Sequence, residues 1–239
     1  TQAGGGGARK GEDKGREERF NKYLQGVTKS SGSGQAAEGE EKKEYFSNGM
    51  WPASHGYLTE TNMLQWCEEH LGSFEGVDDE LIADSDYTQP LYAWQLFSVL
   101  GEGRINAILR RFYGHVFADH NLWFRDAFVS TTTKEHAIAN QAALWIDAFG
   151  GGKRYKGGFH RVSKLHALVK EHITLRAACR WMELIRLTLD QSDLGKDPRV
   201  REVIDDFIET HMRKYGKQFD FDASVLRMRG SGPGCPYDE

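Results

Sequence analysis

Residues 131–152 read TTTKEHAIANQAALWIDAFGGG, and this stretch decides the fold. Thr132 stands three residues before Glu135. That is the spacing of a capping box, in which the hydroxyl takes one orphan amide and the carboxylate reaches back to another. The helix it opens puts Ile138, Ala142, Trp145, Ile146 and Phe149 on one face. Gly150, Gly151 and Gly152 then permit positive φ and a sharp exit.

Upstream, Ile105, Ile108, Leu109, Phe112, Tyr113, Val116 and Phe117 recur at helical spacing after a break at Gly101-Glu102-Gly103. Asp119-His120-Asn121 ends that helix, and Trp123, Phe124 and Phe128 make an aromatic corner. Downstream, a helix begins near Thr174. Leu175, Ala178, Met182, Ile185 and Leu189 form its stripe, widened by Trp181 and Leu184. Asp197 followed by Pro198 reads as an N-cap with proline at the first helical position. Val200, Val203, Ile204, Phe207, Ile208, Met212 and Tyr215 continue that helix, with Gly216 as the expected stop. No segment alternates long enough to be a strand, so the fold class is all-α.

Hydrophobic residues make up 39% of the 239 residues, enough for one substantial domain with extensions. The formal charge of -4 and the lack of a basic stripe argue against a nucleic-acid partner. No apolar run approaches the roughly 18 residues of a membrane span. Cys67, Cys179 and Cys235 are widely spaced, which suggests neither a disulfide framework nor a metal-binding pair, and points to a reducing, intracellular setting. The chain starts at Thr1, as a trimmed terminus or a processed targeting segment would leave it. A mitochondrion or other organelle is the expected location.

Four regions follow. Residues 1–44 are a low-complexity tail too poor in apolar groups to fold alone. Residues 45–90 form an aromatic-rich extension, with a short helix expected over 61–71; it is either a lid on the main domain or a docking surface. Residues 91–219 are the helical domain, and 220–239 a second tail. Protein partners are expected to engage through residues 1–90 and 220–239.

No phosphate-binding loop, nucleophile elbow or zinc-protease motif is present. His160, His166 and His172 recur every six residues. Six steps of about 100° leave such residues on different helical faces, so one straight helix does not build a three-histidine zinc site. His166 has apolar company in Leu165, Ala167, Leu168 and Val169. An imidazole so placed is either a core residue or an iron ligand.

The region from Leu91 to Tyr215 resembles a truncated haemoglobin of the two-on-two type, closest to the second group. Leu96-Phe97 with Leu100-Gly101 is similar to the family's entry motif. Phe112-Tyr113 resembles the pair whose tyrosine faces the bound gas, and Phe124 or Phe128 the phenylalanine that wedges the haem. Gln141 precedes Gly150 by the spacing of a distal glutamine. Phe149-Gly150-Gly151 with Tyr155 resembles the Leu-Gly-Gly-Pro-x-x-Tyr corner, with Gly152 in place of the proline. Arg180-Trp181 resembles the Arg-Trp pair whose indole overhangs the distal pocket, and Ala137 falls where many globins carry a gating histidine.

The resemblance implies a globin fold with a pocket lined by Phe112, Tyr113, Ala137, Gln141, Leu144 and Trp181. With the interval from Gly150 to Trp181 kept ungapped, the family's proximal histidine falls on Leu168. Two residues inserted after the histidine, and a shorter loop before it, put His166 there instead. Two functions are then compatible with the sequence. In one, haem b is held by His166, and Tyr113, Gln141 and Trp181 donate to bound oxygen or nitric oxide. In the other, the domain is a haem-free accessory subunit of a larger assembly. Its Leu168, Trp145, Trp181 and Phe128 would then fill the core, with His166 turned outward. Neither reading supplies an enzymatic constellation beyond haem chemistry.

Overall fold

The computed structural model describes residues 56, 58, 59, 61–63, 80–156, 158–167 and 169–229. Among these the regular structure is helical. A 3-10 turn at Ala93–Gln95 leads into α1 (Leu96–Phe117), followed by α2 (Leu122–Val129) and α3 (Lys134–Ala148). Then come α4 (Gly158–Ala167), a 3-10 turn at Lys170–His172, α5 (Leu175–Asp190) and α6 (Val200–Phe219).

α1 packs across α3 on one side and α5 on the other, while α5 also meets α6. This is two helical pairs laid on each other. Ile105, Ile108, Leu109 and Phe112 of α1, Trp145 and Phe149 at the end of α3, Ile185 of α5 and Ile204 of α6 are almost wholly buried between them. Each such side chain contributes about 1.5–3 kcal/mol by leaving water, so the periodic stripes themselves specify the pairing.

The breaks follow backbone chemistry. Gly101, at φ 68 and ψ 165, interrupts α1 where the sequence pattern breaks. Gly150 has φ +89, and a Cβ there would lie 2.0 Å from the Trp94 carbonyl oxygen. Only glycine meets both demands. The corner it forms is tied back to the start of α1 by the Phe97 amide, which donates to the Phe149 carbonyl at 2.9 Å.

Three boundaries differ from the sequence expectation. The cap of α3 is Thr133, whose hydroxyl accepts from the His136 amide at 3.2 Å, and the Thr132 hydroxyl instead bonds the Thr133 carbonyl. α6 does not stop at Gly216. It runs on to Phe219 and closes at Asp220, which has φ 60. Gly216 is small for a different reason: a Cβ there would sit 2.7 Å from the Ala223 side chain, where the chain folds back. Pro198 lies in the turn before α6, and Asp197 steadies that turn by accepting the Arg199 amide at 2.9 Å.

Of the expected helix over 61–71, residues 61–63 are helical, as are 58 and 59, and the rest lies outside the described residues. This piece packs on the domain. The Leu58 amide donates to Asp147 Oδ1 at 2.9 Å, the Thr59 hydroxyl donates to the Asp147 carbonyl, and Asn62 reaches the Ala148 carbonyl at 3.4 Å. Residues 1–44 lie outside the described set. Cys179, buried on α5, is disulfide-bonded, which the cysteine spacing did not suggest. Among the described residues no helix is long and apolar enough to cross a membrane.

Candidate functional site

A cavity of about 470 Å³ lies between the helical pairs and α4. Such a volume falls within the ~300–1,000 Å³ of cofactor and ligand sites. α1 brings Tyr113 to its wall, α2 brings Phe124 and Phe128, α3 brings Gln141, Leu144 and Trp145, and α5 brings Trp181. These positions follow from helical period. Gln141 and Trp145 are four residues apart on α3, so a wall residue recurs one turn below another.

On this wall the Tyr113 hydroxyl donates to Gln141 Oε1 at 3.4 Å. Burial pushes the Tyr113 phenol far above its ordinary value, so the group stays protonated and able to donate. With its oxygen accepting from Tyr113, Gln141 keeps its amide hydrogens for another partner. Phe112 and Ala137, expected in the wall, are not part of it. Phe112 is fully buried behind it, with its ring edge-on to Trp181 at 4.9 Å and to Tyr113 at 5.1 Å. It therefore positions both. Ala137 is buried in the core one turn before Gln141 and does not border the cavity.

The arginine of the Arg-Trp pair has a structural duty. Arg180 donates through Nε to Asp119 Oδ2 at 2.8 Å and through Nη2 to Asp119 Oδ1 at 3.2 Å, and it also reaches Glu183 at 2.8 Å. Asp119 is buried just past the end of α1, where it also accepts the Asn121 amide. The guanidinium bonds hold its carboxyl below the usual carboxylate range against the opposing effect of burial. This clamp locks α5, and with it Trp181, to the end of α1.

The opposite part of the lining comes from α4 and α6. His166 borders the cavity, and its Nδ1 lies 2.8 Å from the Val162 carbonyl oxygen. A carbonyl only accepts, so Nδ1 carries the proton and Nε2 keeps its lone pair. The ring packs on Tyr215 of α6 at 4.8 Å, and burial pushes its pKa below the ordinary histidine value. The sequence neighbours do not bury it: Leu165 is 44% exposed and Ala167 is exposed as well. Leu168 lies outside the described residues.

The filled-core alternative expected Trp145, Trp181 and Phe128 to collapse inward with His166 outward. In the structure those three side chains line the cavity, and so does His166. Among the lining residues that sequence reasoning missed are His211, Tyr215 and Phe221 on the α6 side, Val162 of α4, and Leu58 and Asn62 from the N-terminal piece. Tyr215 was legible only as a core residue. His211 was passed over because a polar residue breaks an apolar stripe. At the rim, Arg176 lies 4.2 Å over the Trp123 ring.

This geometry defines a helical pocket protein with a polar pair, an indole and a buried imidazole around one cavity. Residues 95–214 match the family model described as Bacterial-like globin, and the chain belongs to that family, the truncated haemoglobins of the globin superfamily. It is 33% identical over 112 residues to "Two-on-two hemoglobin-3" of Arabidopsis thaliana, a match covering 44% of this chain and 61% of that protein. The chain thus spans less than two thirds of that relative. No solved structure matches it.

Proposed function

We propose that the domain binds haem b through His166 and uses Tyr113, Gln141 and Trp181 to hold a diatomic ligand such as oxygen or nitric oxide. The observation that carries this reading is the His166 ring. Its Nδ1–H is fixed by the Val162 carbonyl at 2.8 Å, and the ring borders the cavity. An acceptor on one imidazole nitrogen sets the tautomer and leaves the other nitrogen free to ligate. The residues fit the group: the lining is mostly apolar and aromatic, as a porphyrin plane requires, with Tyr113, Gln141 and His166 among its polar members.

Haem, when bound, supplies the iron that takes the gas. The chain's own residues then act on that gas. The buried Tyr113 hydroxyl gives its one hydrogen to Gln141 Oε1 and so orients the Gln141 amide, whose N–H groups act beside the Trp181 indole N–H as donors on the same cavity. Such donors stabilise a bound ligand as it gains negative charge, and they do so most in a site that excludes water. The Phe112 ring behind Tyr113 and Trp181 and the Arg180–Asp119 clamp hold these donors in place before a ligand arrives.

The test is titration of the purified chain with haemin, followed by reduction and exposure to carbon monoxide and oxygen. Saturable uptake of one haem per chain, with a sharp Soret band that shifts on gas binding, supports the reading. Uptake that rises linearly without saturation overturns it.

A further inference from the structure

α6 carries Phe207, His211, Tyr215 and Phe219 at intervals of four residues, so they stack down one face. The Phe207 and His211 rings are 4.2 Å apart and the Tyr215 and Phe219 rings 5.9 Å apart. His166 of α4 meets this ladder at Tyr215, 4.8 Å away, and at Phe219, 6.5 Å away. His211 therefore sits one helical turn from the residue on which His166 packs, and both histidines line the same cavity.

The two imidazoles are matched in chemistry. His211 Nδ1 lies 2.8 Å from the Phe207 carbonyl oxygen, as His166 Nδ1 does from that of Val162. In each case the acceptor stands four residues earlier on the same helix, so the helix itself sets the tautomer. Each Nε2 keeps an unprotonated lone pair.

Among the other histidines whose side chains are described, none combines these features. His172 lines the cavity but is half-exposed, 3.9 Å from Glu171. His115 has a buried Nε2 without a partner, yet it does not border the cavity. His120 and His136 are exposed.

The supports differ. His166 stands near the end of the ten-residue α4, whereas His211 stands mid-way along the twenty-residue α6, which packs on α1 and α5. Resting on the haem reading above, we propose that His211 is a second axial ligand for the haem, able to replace His166, so that the pocket carries two interchangeable imidazole donors on separate helices. If haem is bound, either Nε2 lone pair would be available to the iron, and neither nitrogen carries a hydrogen that would have to be lost.

The experiment uses the full chain, reconstituted with haemin and reduced, as wild type, His166→Ala, His211→Phe and the double variant. The readouts are haem affinity, the iron–histidine stretching band in resonance Raman spectra, and helix content by circular dichroism. The expected result is that His166→Ala retains one haem and an iron–histidine band at a changed frequency. The double variant should lose that band and recover one only with added imidazole. Its haem affinity should drop from that of His166→Ala by at least roughly tenfold, the smaller end of what losing even an indirect metal contact costs. His211→Phe keeps the ring ladder and should retain the wild-type band.

If His166→Ala is folded but shows no iron–histidine band, the proposal is overturned. It is equally overturned if the double variant keeps the band. Should His166→Ala not fold, His166→Leu, which fills the same space with an apolar group, is judged by the same two outcomes. A wild-type chain that takes up no haem overturns the haem reading itself, and this proposal with it, before any variant is compared.

Discussion

The cavity has two walls built by different means. The wall of α1, α3 and α5 carries Tyr113, Gln141 and Trp181 on long helices, with α5 tied to the end of α1 by a largely buried ionic clamp. The α4 wall carries His166 on a ten-residue helix held by lighter contacts: Arg161 donates to Asn140 at 3.1 Å and lies 5.0 Å over the Tyr155 ring, and His166 packs on Tyr215. Two demands are thus divided. The donor wall must be rigid to aim hydrogen bonds, while the ligand wall needs only to present a lone pair.

The largest expected effect breaks the rigid wall. Asp119→Ala removes the carboxylate from a clamp in which Arg180 has only 22% of its side chain exposed. Uncompensated buried partners typically cost about 3–5 kcal/mol. Asn140→Ala removes the partly buried bond by which α3 holds Arg161 of the α4 wall and should cost about 1 kcal/mol. Urea denaturation of the two variants checks the contrast. Equal losses would mean the walls are not mechanically distinct.

Acid should loosen the histidine wall first. His166 and His211 have folded pKa values below the ordinary 6.5, that of His211 about 3. For His211 the unfolded chain therefore binds more protons than the folded one between pH 6.5 and about 3, so its contribution to stability is present above pH 6.5 and is lost as pH falls towards 3, by up to about 1.4 kcal/mol per pH unit. His166 adds to this loss in the same direction. Asp147 works in the opposite direction, because burial raises its pKa above 3.8 and the folded state holds that proton longer. His211→Phe should flatten the acid limb of stability against pH, and an unchanged slope would place the acid sensitivity elsewhere.

How much could be read in the sequence divides along the same two walls. Tyr113, Gln141, Leu144 and Trp181 were placed in the pocket by the family resemblance, with helical period only marking their helices' inward faces, and the structure brings all four to the cavity. Phe112 was misjudged by a single position. The periodic stripe marks both it and Tyr113 as inward, and only packing against Trp181 decides which one touches the cavity. The α4 wall was not legible in this way. Leu165 and Ala167 suggested that apolar neighbours bury His166, yet both face out, and the burial comes from Tyr215, about fifty positions away. His211 carries no local signal, because its role depends on which helix α6 faces.

A smaller effect probes how the donor wall acts on a ligand. If haem is bound, Trp181→Phe keeps an aromatic ring against Phe112 but removes the indole N–H. Haem content should be unchanged and ligand dissociation faster by about fivefold to tenfold, the worth of one net hydrogen bond of about 1 kcal/mol or slightly more. Tyr113→Phe should do the same and leave Gln141 Oε1 without its donor. Stopped-flow displacement of oxygen by carbon monoxide measures both, and an unchanged rate in both variants would remove the donor role from this wall.

The smallest effect separates sequence reading from structure at one position. A capping box at Thr132 and Glu135 would make Thr132→Ala the costly change. The structure instead has Thr133 as the residue whose hydroxyl accepts the His136 amide at 3.2 Å, while Thr132 bonds only its neighbour's carbonyl. Thr133→Ala should therefore cost about 1 kcal/mol, as lost N-caps do, and Thr132→Ala a few tenths at most. α3 carries Gln141 two turns further on, where it meets Tyr113, and the register of the helix body is the same whichever threonine caps it. If denaturation gave the reverse order of the two threonine variants, the cap would lie at Thr132 and α3 would start one residue earlier.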